Sequence, residues 1–471
     1  MAAQTKSVES SIKDKLSSLP ANGTNHRIYK VPKHFGKVKR ECYTPFVVSI
    51  GPIYYKKKSL KSSQELKLRH LQCFMELVRM HSDRAYNLGQ FQVFLERWEG
   101  KARSFYADKI SLGRDDFLEM LMVDAAFIIC YIMLRSLPKN FLPINPMKNM
   151  RAWEDKVQQD LFLADNQLPF LLVHDLYHEA FGRVADQILF KELVCSFIGQ
   201  TNIPGRAAAS SVGRVKVRDI SDIKDFVDFL RICCLPPKLR HNQIQESNVN
   251  MLCCLPLKCS HDRDQENNDV KPTWCLPCNK HSGRNLEDDE ETDQLPPKVK
   301  ELKDAGVKFL ATPGKNLLDI KYTGGVLQIP KFSIQDNTEA ILRSLIFSEQ
   351  CHHYEDSYFI DYAFFLDALI DTPEDVQVLV QNKIIDPCLG SDDEVATIIN
   401  QITTCSMLYA PNFYYSQVSR DLHAHVTNRR NKWRAILMRD YFNHPWSLIS
   451  VVYLVLLLIL TVLQVYTGFK G

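Results

Sequence analysis

The first thirty residues hold no apolar run of about seven, and Lys6, Glu9, Lys13, Asp14 and Lys15 interrupt them, so no secretory leader is visible. Charge of one sign is missing too. The 58 basic residues are met by 55 acidic ones and leave +3, which excludes a global electrostatic draw toward nucleic acid. No glycine-rich phosphate loop, nucleophile elbow or paired metal motif occurs. On that reading the chain carries no catalytic residue, no metal ligand and no cofactor. Apolar residues are not scarce: at 45% hydrophobic and 24% charged, most of the 471 residues can enter a core.

One long uncharged run is present. Residues 446–466 read WSLISVVYLVLLLILTVLQVY, and 14 of these 21 are Leu, Ile or Val. As a helix the run spans about 31 Å, the thickness of a bilayer's hydrocarbon core. At ~0.3–0.6 kcal/mol per large aliphatic residue, insertion is favoured by up to about 4–8 kcal/mol. Trp446 and Tyr466 bracket it at the depths where amphipathic rings settle. Just ahead lie Arg420, Arg429, Arg430, Lys432, Arg434 and Arg439 against Asp421 and Asp440; beyond it stands only Lys470. The expectation is a single-pass transmembrane helix with the N-terminal bulk on the cytosolic side. Arg429, Arg430, Lys432, Arg434 and Arg439 become candidate membrane-proximal contacts for anionic headgroups. The one glycosylation sequon ahead of the run, at Asn22-Gly23-Thr24, is a frequency that chance supplies.

Taken in order, residues 1–27 are polar and read as disordered. The prolines of Ile28-Tyr29-Lys30-Val31-Pro32 and of the stretch from Tyr43 to Pro52 favour extended segments and turns. Phe91, Phe94, Leu95, Trp98, Ala102, Phe105 and Tyr106 recur at helical steps and predict an amphipathic helix. Residues 115–137 form a second helix, apolar nearly all round and interrupted by Glu119 and Asp124, which reads as a central buried helix. Asp165-Asn166-Gln167 ahead of Pro169 resembles a helix start, with polar side chains on free amides. A further helix is expected over 184–200, a linker over 201–218 and a short helix over 219–233.

The long polar stretch to Pro297 is an expected disordered insert. After it, 299–305 predicts a helix closed by Gly306, and Thr323-Gly324-Gly325 predicts a hairpin turn. Capping boxes are expected at Asp336/Glu339, Thr372/Asp375 and Ser391/Glu394. From Asn412 to His444 no proline or glycine intervenes, which predicts one long basic helix kinked at Pro445.

Two groups have metal-like spacing. His174 and His178 stand at i and i+4 with Asp175 where the zinc-protease motif has the longer Glu, and would make a hydrolase with Asp175 as base. No spacing supplies a third ligand. Seven cysteines, Cys233, Cys234, Cys253, Cys254, Cys259, Cys275 and Cys278, fall in the expected insert. Cys275, Cys278 and His281 have the spacing of half a zinc site, without a matching second pair.

A resemblance emerges from ordered blocks: Ile28–Pro32, Val48-Ser49-Ile50-Gly51-Pro52, Lys101-Ala102-Arg103-Ser104-Phe105-Tyr106, Asn166-Gln167-Leu168-Pro169-Phe170 and Leu302–Phe309. Gly325–Pro330, Leu369–Val376, Asp440-Tyr441-Phe442 and Pro445-Trp446 continue the series. In these the chain resembles the plant family catalogued as domain of unknown function 247. Ala164-Asp165 stands where the family usually has Leu-Glu, and Ala125-Ala126 where it often has Gly-Cys. His174 and His178 lie outside its pattern. The resemblance implies a plant-specific, membrane-anchored protein without established enzymatic activity; some grass relatives are implicated in self-incompatibility and others in stress or defence. Asn166 and Gln167 are the family-matched polar residues singled out as candidate structural or ligand-binding groups.

The expected fold is mainly α. A helical globular domain in two parts, 28–200 and 297–440, is separated by a linker and Cys-rich insert over 201–296. It includes a small β-hairpin element and ends in a transmembrane helix over 446–466 with a short tail, 467–471. The expected partners are a membrane and unidentified proteins, with no nucleic acid. The expected function is interaction, recognition or signalling, with a metal-dependent hydrolase and an anionic-lipid-binding scaffold as alternatives.

Overall fold

The computed structural model describes residues 12–13, 16–17, 27–33, 35, 39–82, 87–138, 153–200, 219–236, 295–313, 316–388, 390–440 and 445–468. The linker at 201–218, the cysteines from Cys253 to Cys278 and His281 lie outside these residues, as does nearly all of 1–27.

The chain is mainly helical. The first part is built around α3 (Arg114–Ser136), against which α1 (Ser62–His81) and α2 (Leu88–Ser104) pack. Phe91, Phe94, Leu95, Trp98 and Ala102 of α2 are buried, the stripe that the periodicity predicts. Every residue of α3 from Phe117 to Met133 except Glu119 is buried, so the helix is apolar all round because it is surrounded. The two acids that interrupt its apolar stretch part company: Glu119 faces solvent, whereas Asp124 is fully buried and ion-paired. α4 (Glu154–Leu161), α5 (Phe170–Phe181), α6 (Arg183–Gln187) and α7 (Phe190–Gln200) complete this part. The helix expected over 184–200 is two helices, because Ile188 turns extended and its carbonyl accepts a hydrogen bond from the Tyr177 hydroxyl at 2.8 Å.

A single 3-10 turn (Ile220–Asp222) precedes α8 (Phe226–Cys234), whose start is fixed by Asp225 accepting from the Asp228 amide. Cys233 and Cys234 belong to this helix and are buried in the core, a correction to their placement in the insert; the Cys233 sulfur lies 4.0 Å from that of Cys195 in α7.

The second part opens with α9 (Val299–Asp304), ended by Gly306 at φ +91° as a left-handed cap requires. β1 (Lys308–Thr312), β2 (Lys321–Thr323) and β3 (Val326–Pro330) form a sheet in the order β1-β3-β2. The β2-β3 hairpin matches the turn signal; the parallel pairing of β1 with β3 is a crossover that the local pattern does not announce. β4 (Phe332–Ile334) pairs in parallel with β5 (Ile385–Pro387). Around them pack α10 (Thr338–His352), α11 (Tyr358–Leu369), α12 (Pro373–Gln381) and α13 (Asp392–Ile402). Thr372 and Asp375 form the expected capping box, and Ser391 accepts from the Glu394 amide. Asp336/Glu339 forms none. α10 begins at Thr338, whose hydroxyl accepts from the Gln335 amide, and Glu339 pairs with Arg343 and Lys39. One continuous apolar core runs from Ile28 to Leu422 through both parts.

The expected long helix from Asn412 is broken. α14 (Ser416–Thr427) and α15 (Arg429–Asp440) meet at Asn428, whose backbone is extended (ψ 129°) and whose side-chain oxygen accepts from the Arg430 amide. Asparagine thus ends one helix and caps the next without proline or glycine. α16 (Pro445–Gly468) starts on Pro445 and is uncharged and apolar along its length.

Candidate functional site

The end of α4 and the turn that leads to α5, residues 160–169, gather the family-like motifs into one buried polar cluster. Asp160 is fully buried, and its carboxylate accepts from the amides of Phe46, Val47 and Val48 at 2.8, 2.6 and 2.8 Å. Asn166 accepts from the Ile50 amide at 2.7 Å and donates to the carbonyls of Val48 (3.0 Å) and Asp160 (2.8 Å). Gln167 donates to the carbonyls of Leu161 and Leu163 and accepts from the Phe226 amide at 3.0 Å, so it also seats the start of α8. Asp165 accepts from the Val31 amide and the Tyr54 hydroxyl.

The neighbouring motifs close the cluster from outside. The Tyr106 hydroxyl donates to the Gln167 carbonyl at 3.0 Å. Gly51, at φ +73°, passes so close to that carbonyl that a Cβ would sit 2.4 Å from it. Its amide donates to Asp124, which is paired at 2.5 Å with the equally buried Lys67; Lys67 in turn donates to the Ser49 carbonyl. An extended segment such as 46–51 has no strand partner for its amides, so side chains must satisfy them. That is what Asp160, Asn166 and Asp124 do.

Burial raises the Asp160 carboxyl to about 7 and that of Asp165 to about 6, with the donated hydrogen bonds opposing the rise. Burial also raises Asp124, against the pull of Lys67.

Asn166 and Gln167 therefore do not cap the start of α5; they take the last carbonyls of α4, and Gln167 holds the first amide of α8. α5 begins at Phe170 with Pro169 ahead of it and no side-chain cap, and both residues bind backbone far away in sequence. They act as an internal fastener: Asn166 ties residues 116 and 118 positions away, and Gln167 ties Phe226, 59 positions on.

A second buried cluster joins the two parts of the chain. Arg231 of α8 and Glu349 of α10 are wholly buried and paired at 2.8 Å, and Glu349 also accepts from the amides of Phe359 and Ile360. Burial raises Glu349 and Arg231 opposes it. Beside them His353 lies 3.2 Å from Asp228 and 3.2 Å from Lys224. Burial alone would raise Asp228, but Lys224, His353 and Arg231 together hold it low. Burial lowers His353 to about 4 and His352 to about 3. Sequence reading missed these residues. Their signal is charge inside an apolar helical stretch, Asp228 and Arg231 in Phe226–Cys234 and Glu349 in α10.

The metal-like pair of α5 stands with its rings 4.4 Å apart, and His174 contacts Asp175 at 3.1 Å. Among the described residues no group of three or more His, Cys, Asp or Glu is placed to hold a metal ion. The basic residues Arg429, Arg430, Lys432 and Arg434 are exposed on α15, which packs against α9 with the Arg434 guanidinium over Gly306. Arg439 is on the same helix.

Fold and site together define a mainly helical domain fastened by buried polar side chains and followed by an exposed apolar helix. The chain belongs to the family DUF247, described as plant protein of unknown function, which it matches over residues 28–460. It is 23% identical over 448 residues to UPF0481 protein At3g47200 of Arabidopsis thaliana, covering 93% of this chain and 85% of that protein. It is also 23% identical to the Putative UPF0481 protein At3g02645 of the same plant, over 93% of this chain and 89% of the relative. No solved structure matches the chain.

Proposed function

We propose that this protein is a single-pass membrane protein whose helical domain serves as an interaction or signalling module and performs no reaction of its own. The observation that carries the reading is α16. Its large apolar side chains from Ile449 to Tyr466, where described, are 44–65% exposed, whereas the other long apolar helix, α3, is 89% buried over its most apolar stretch. Soluble proteins seldom leave more than about 300–600 Å² of contiguous apolar surface in water, and a bare apolar helix of this length exceeds that on every side. A bilayer removes the surface from water, and a helix satisfies its own backbone there.

The polar residues shared with the family support the same reading, since they hold the domain together from within. Recognition in self-incompatibility or in defence comes to this chain from the family resemblance alone. The cytosolic placement of the domain follows from the basic residues of α15.

Alkaline extraction of membranes carrying the full-length tagged protein tests the anchor. The full chain should stay with the membrane and a variant ending at Asp440 should be released. Release of both would overturn the reading. Protease treatment of sealed microsomes then settles the side: an N-terminal tag that is digested without detergent fits the cytosolic placement, and a protected tag refutes it. Recovery of the full-length protein in mild detergent should bring partner proteins with it; recovery alone counts against an interaction role.

A further inference from the structure

We infer that α15 is a membrane-surface helix, lying against an anionic phospholipid leaflet with one stripe while its opposite side holds the domain. The inference rests on the membrane-anchor reading and adds the face by which the domain meets the bilayer. On α15, Arg429, Lys432, Trp433 and Ile436 stand at i, i+3, i+4 and i+7, the spacing of a single helical stripe. Arg429 and Lys432 are exposed, Trp433 is 59% exposed and Ile436 is half-buried. Arg434, about 100° round the helix from Trp433, has its guanidinium against Gly306 at the end of α9. The helix thus has a docked side and an open side, and the open side carries two cations, an indole and an aliphatic residue.

A tryptophan this exposed beside lysine and arginine has a specific preference. Its amphipathic ring settles at the level of lipid headgroups, and the cations are drawn to anionic lipid there. Among the described residues no carboxylate lies within ion-pair distance of Arg429 or Lys432, so the two charges of the open stripe remain available to an outside partner. The bilayer is also within reach. Five peptide steps separate Asp440 from Pro445, a span of at most about 18 Å. The joint at Asn428 turns the chain out of α14 and lets α15 leave that helix's line.

The docking of α15 gives the contact a consequence for the rest of the protein. His425 of α14 is hydrogen-bonded to the Tyr322 hydroxyl at 2.7 Å and to the Ala305 carbonyl at 3.3 Å, and Asn431 of α15 donates to the His425 carbonyl. Helices, hairpin and α9 are tied at one place. A leaflet that holds α15 therefore fixes which surface of the second part faces the membrane.

The test uses full-length protein in lipid nanodiscs with brominated acyl chains, comparing phosphatidylserine-containing with purely phosphatidylcholine bilayers. The fluorescence difference between wild type and Trp433→Phe isolates Trp433, and the difference between wild type and Trp446→Phe isolates Trp446. Trp433 should be quenched in the anionic discs, with quenching lost on adding salt or in neutral discs. Each basic residue at an anionic surface is worth roughly five-fold in partition, so Arg429→Gln with Lys432→Gln should weaken the contact roughly thirty-fold. Quenched Trp446 with unquenched Trp433, as would follow if an acidic protein occupied the stripe, overturns this inference alone. Trp433 quenching equal in neutral and anionic discs overturns the charge argument. If neither tryptophan is quenched, the anchor reading fails and takes this one with it.

Discussion

Gly51→Ala probes the fastener at the point where it has least room. Gly51 sits at φ +73°, where an L side chain costs roughly 1–2 kcal/mol. Its new Cβ would stand 2.4 Å from the Gln167 carbonyl oxygen, a backbone atom held by Tyr106 and by the turn itself, and so unable to swing away. Restoring ordinary contact near 3.4 Å means moving the two segments apart by about 1 Å. That movement stretches the Gly51 amide bond to Asp124 and the Ile50 amide bond to Asn166, now 2.9 and 2.7 Å. Each buried group left unpaired costs about 1–3 kcal/mol. The sum is about 3–8 kcal/mol, a large share of the roughly 5–15 kcal/mol by which a domain is stable. Gly324→Ala supplies the control. It has φ +59° with no atom within 4 Å of the added Cβ, so it carries the backbone cost alone. Guanidinium unfolding of both full-length variants in detergent, followed by circular dichroism, reads the difference. If Gly51→Ala loses no more stability than Gly324→Ala, the close packing of 46–51 on the 160–169 turn is refuted.

Three further outcomes follow from the same contacts. Asn166→Ala removes the partner of the Ile50 amide and a donor to the Val48 carbonyl, while the Asp160 carbonyl keeps the Leu163 amide, and should lower stability by about 2 kcal/mol or more; Asn166→Asp should be no milder in the same unfolding assay, because a carboxylate would face two carbonyl oxygens. Arg231→Met isolates a buried Glu349 and should cost about 3–5 kcal/mol, so a loss near zero in denaturant midpoint would show that the pair is solvated. His352 and His353 have folded values near 3 and 4 against an ordinary 6.5. The stability they contribute is therefore complete above 6.5 and is lost as pH falls toward 4 and then 3. Asp160, raised from 3.8 to about 7, has the opposite sign: its contribution is complete below 3.8 and lost as pH rises through 7. Subtracting the urea midpoints of His353→Gln from those of wild type across this range isolates the His353 part, and a difference independent of pH would contradict it.

Features with short-range causes are legible in the sequence alone. The β2-β3 turn, the glycine cap at Gly306, the Thr372 box and the buried stripe of α2 each follow from neighbouring residues, because the atoms that interact are a few positions apart. The break at Asn428 was missed because an extended asparagine can serve as both cap and joint, and its sequence carries no breaker. The split between α6 and α7 was missed for a different reason: Tyr177 holds the Ile188 carbonyl from the preceding helix. Asn166 and Gln167 stand out in the sequence, but the partners expected of them, the free amides of the following helix, are not the ones they take. Their local setting, ahead of Pro169, suggests capping, and only the return of residues 46–50 and of Phe226 shows where their hydrogen bonds go.

The sequence by itself determined the helical character, the family and the uncharged run of α16, since periodicity, motif order and hydropathy are properties of the chain taken alone. Only the tertiary structure decided what the polar residues inside apolar surroundings are for. Asp124, Asp160, Arg231 and Glu349 could have marked a reacting centre or a scaffold. A charge in a core must find a partner, and each of these found it in backbone or in an opposite charge more than 50 residues away. That distance along the chain carries no local signal, which is why folding had to supply the answer.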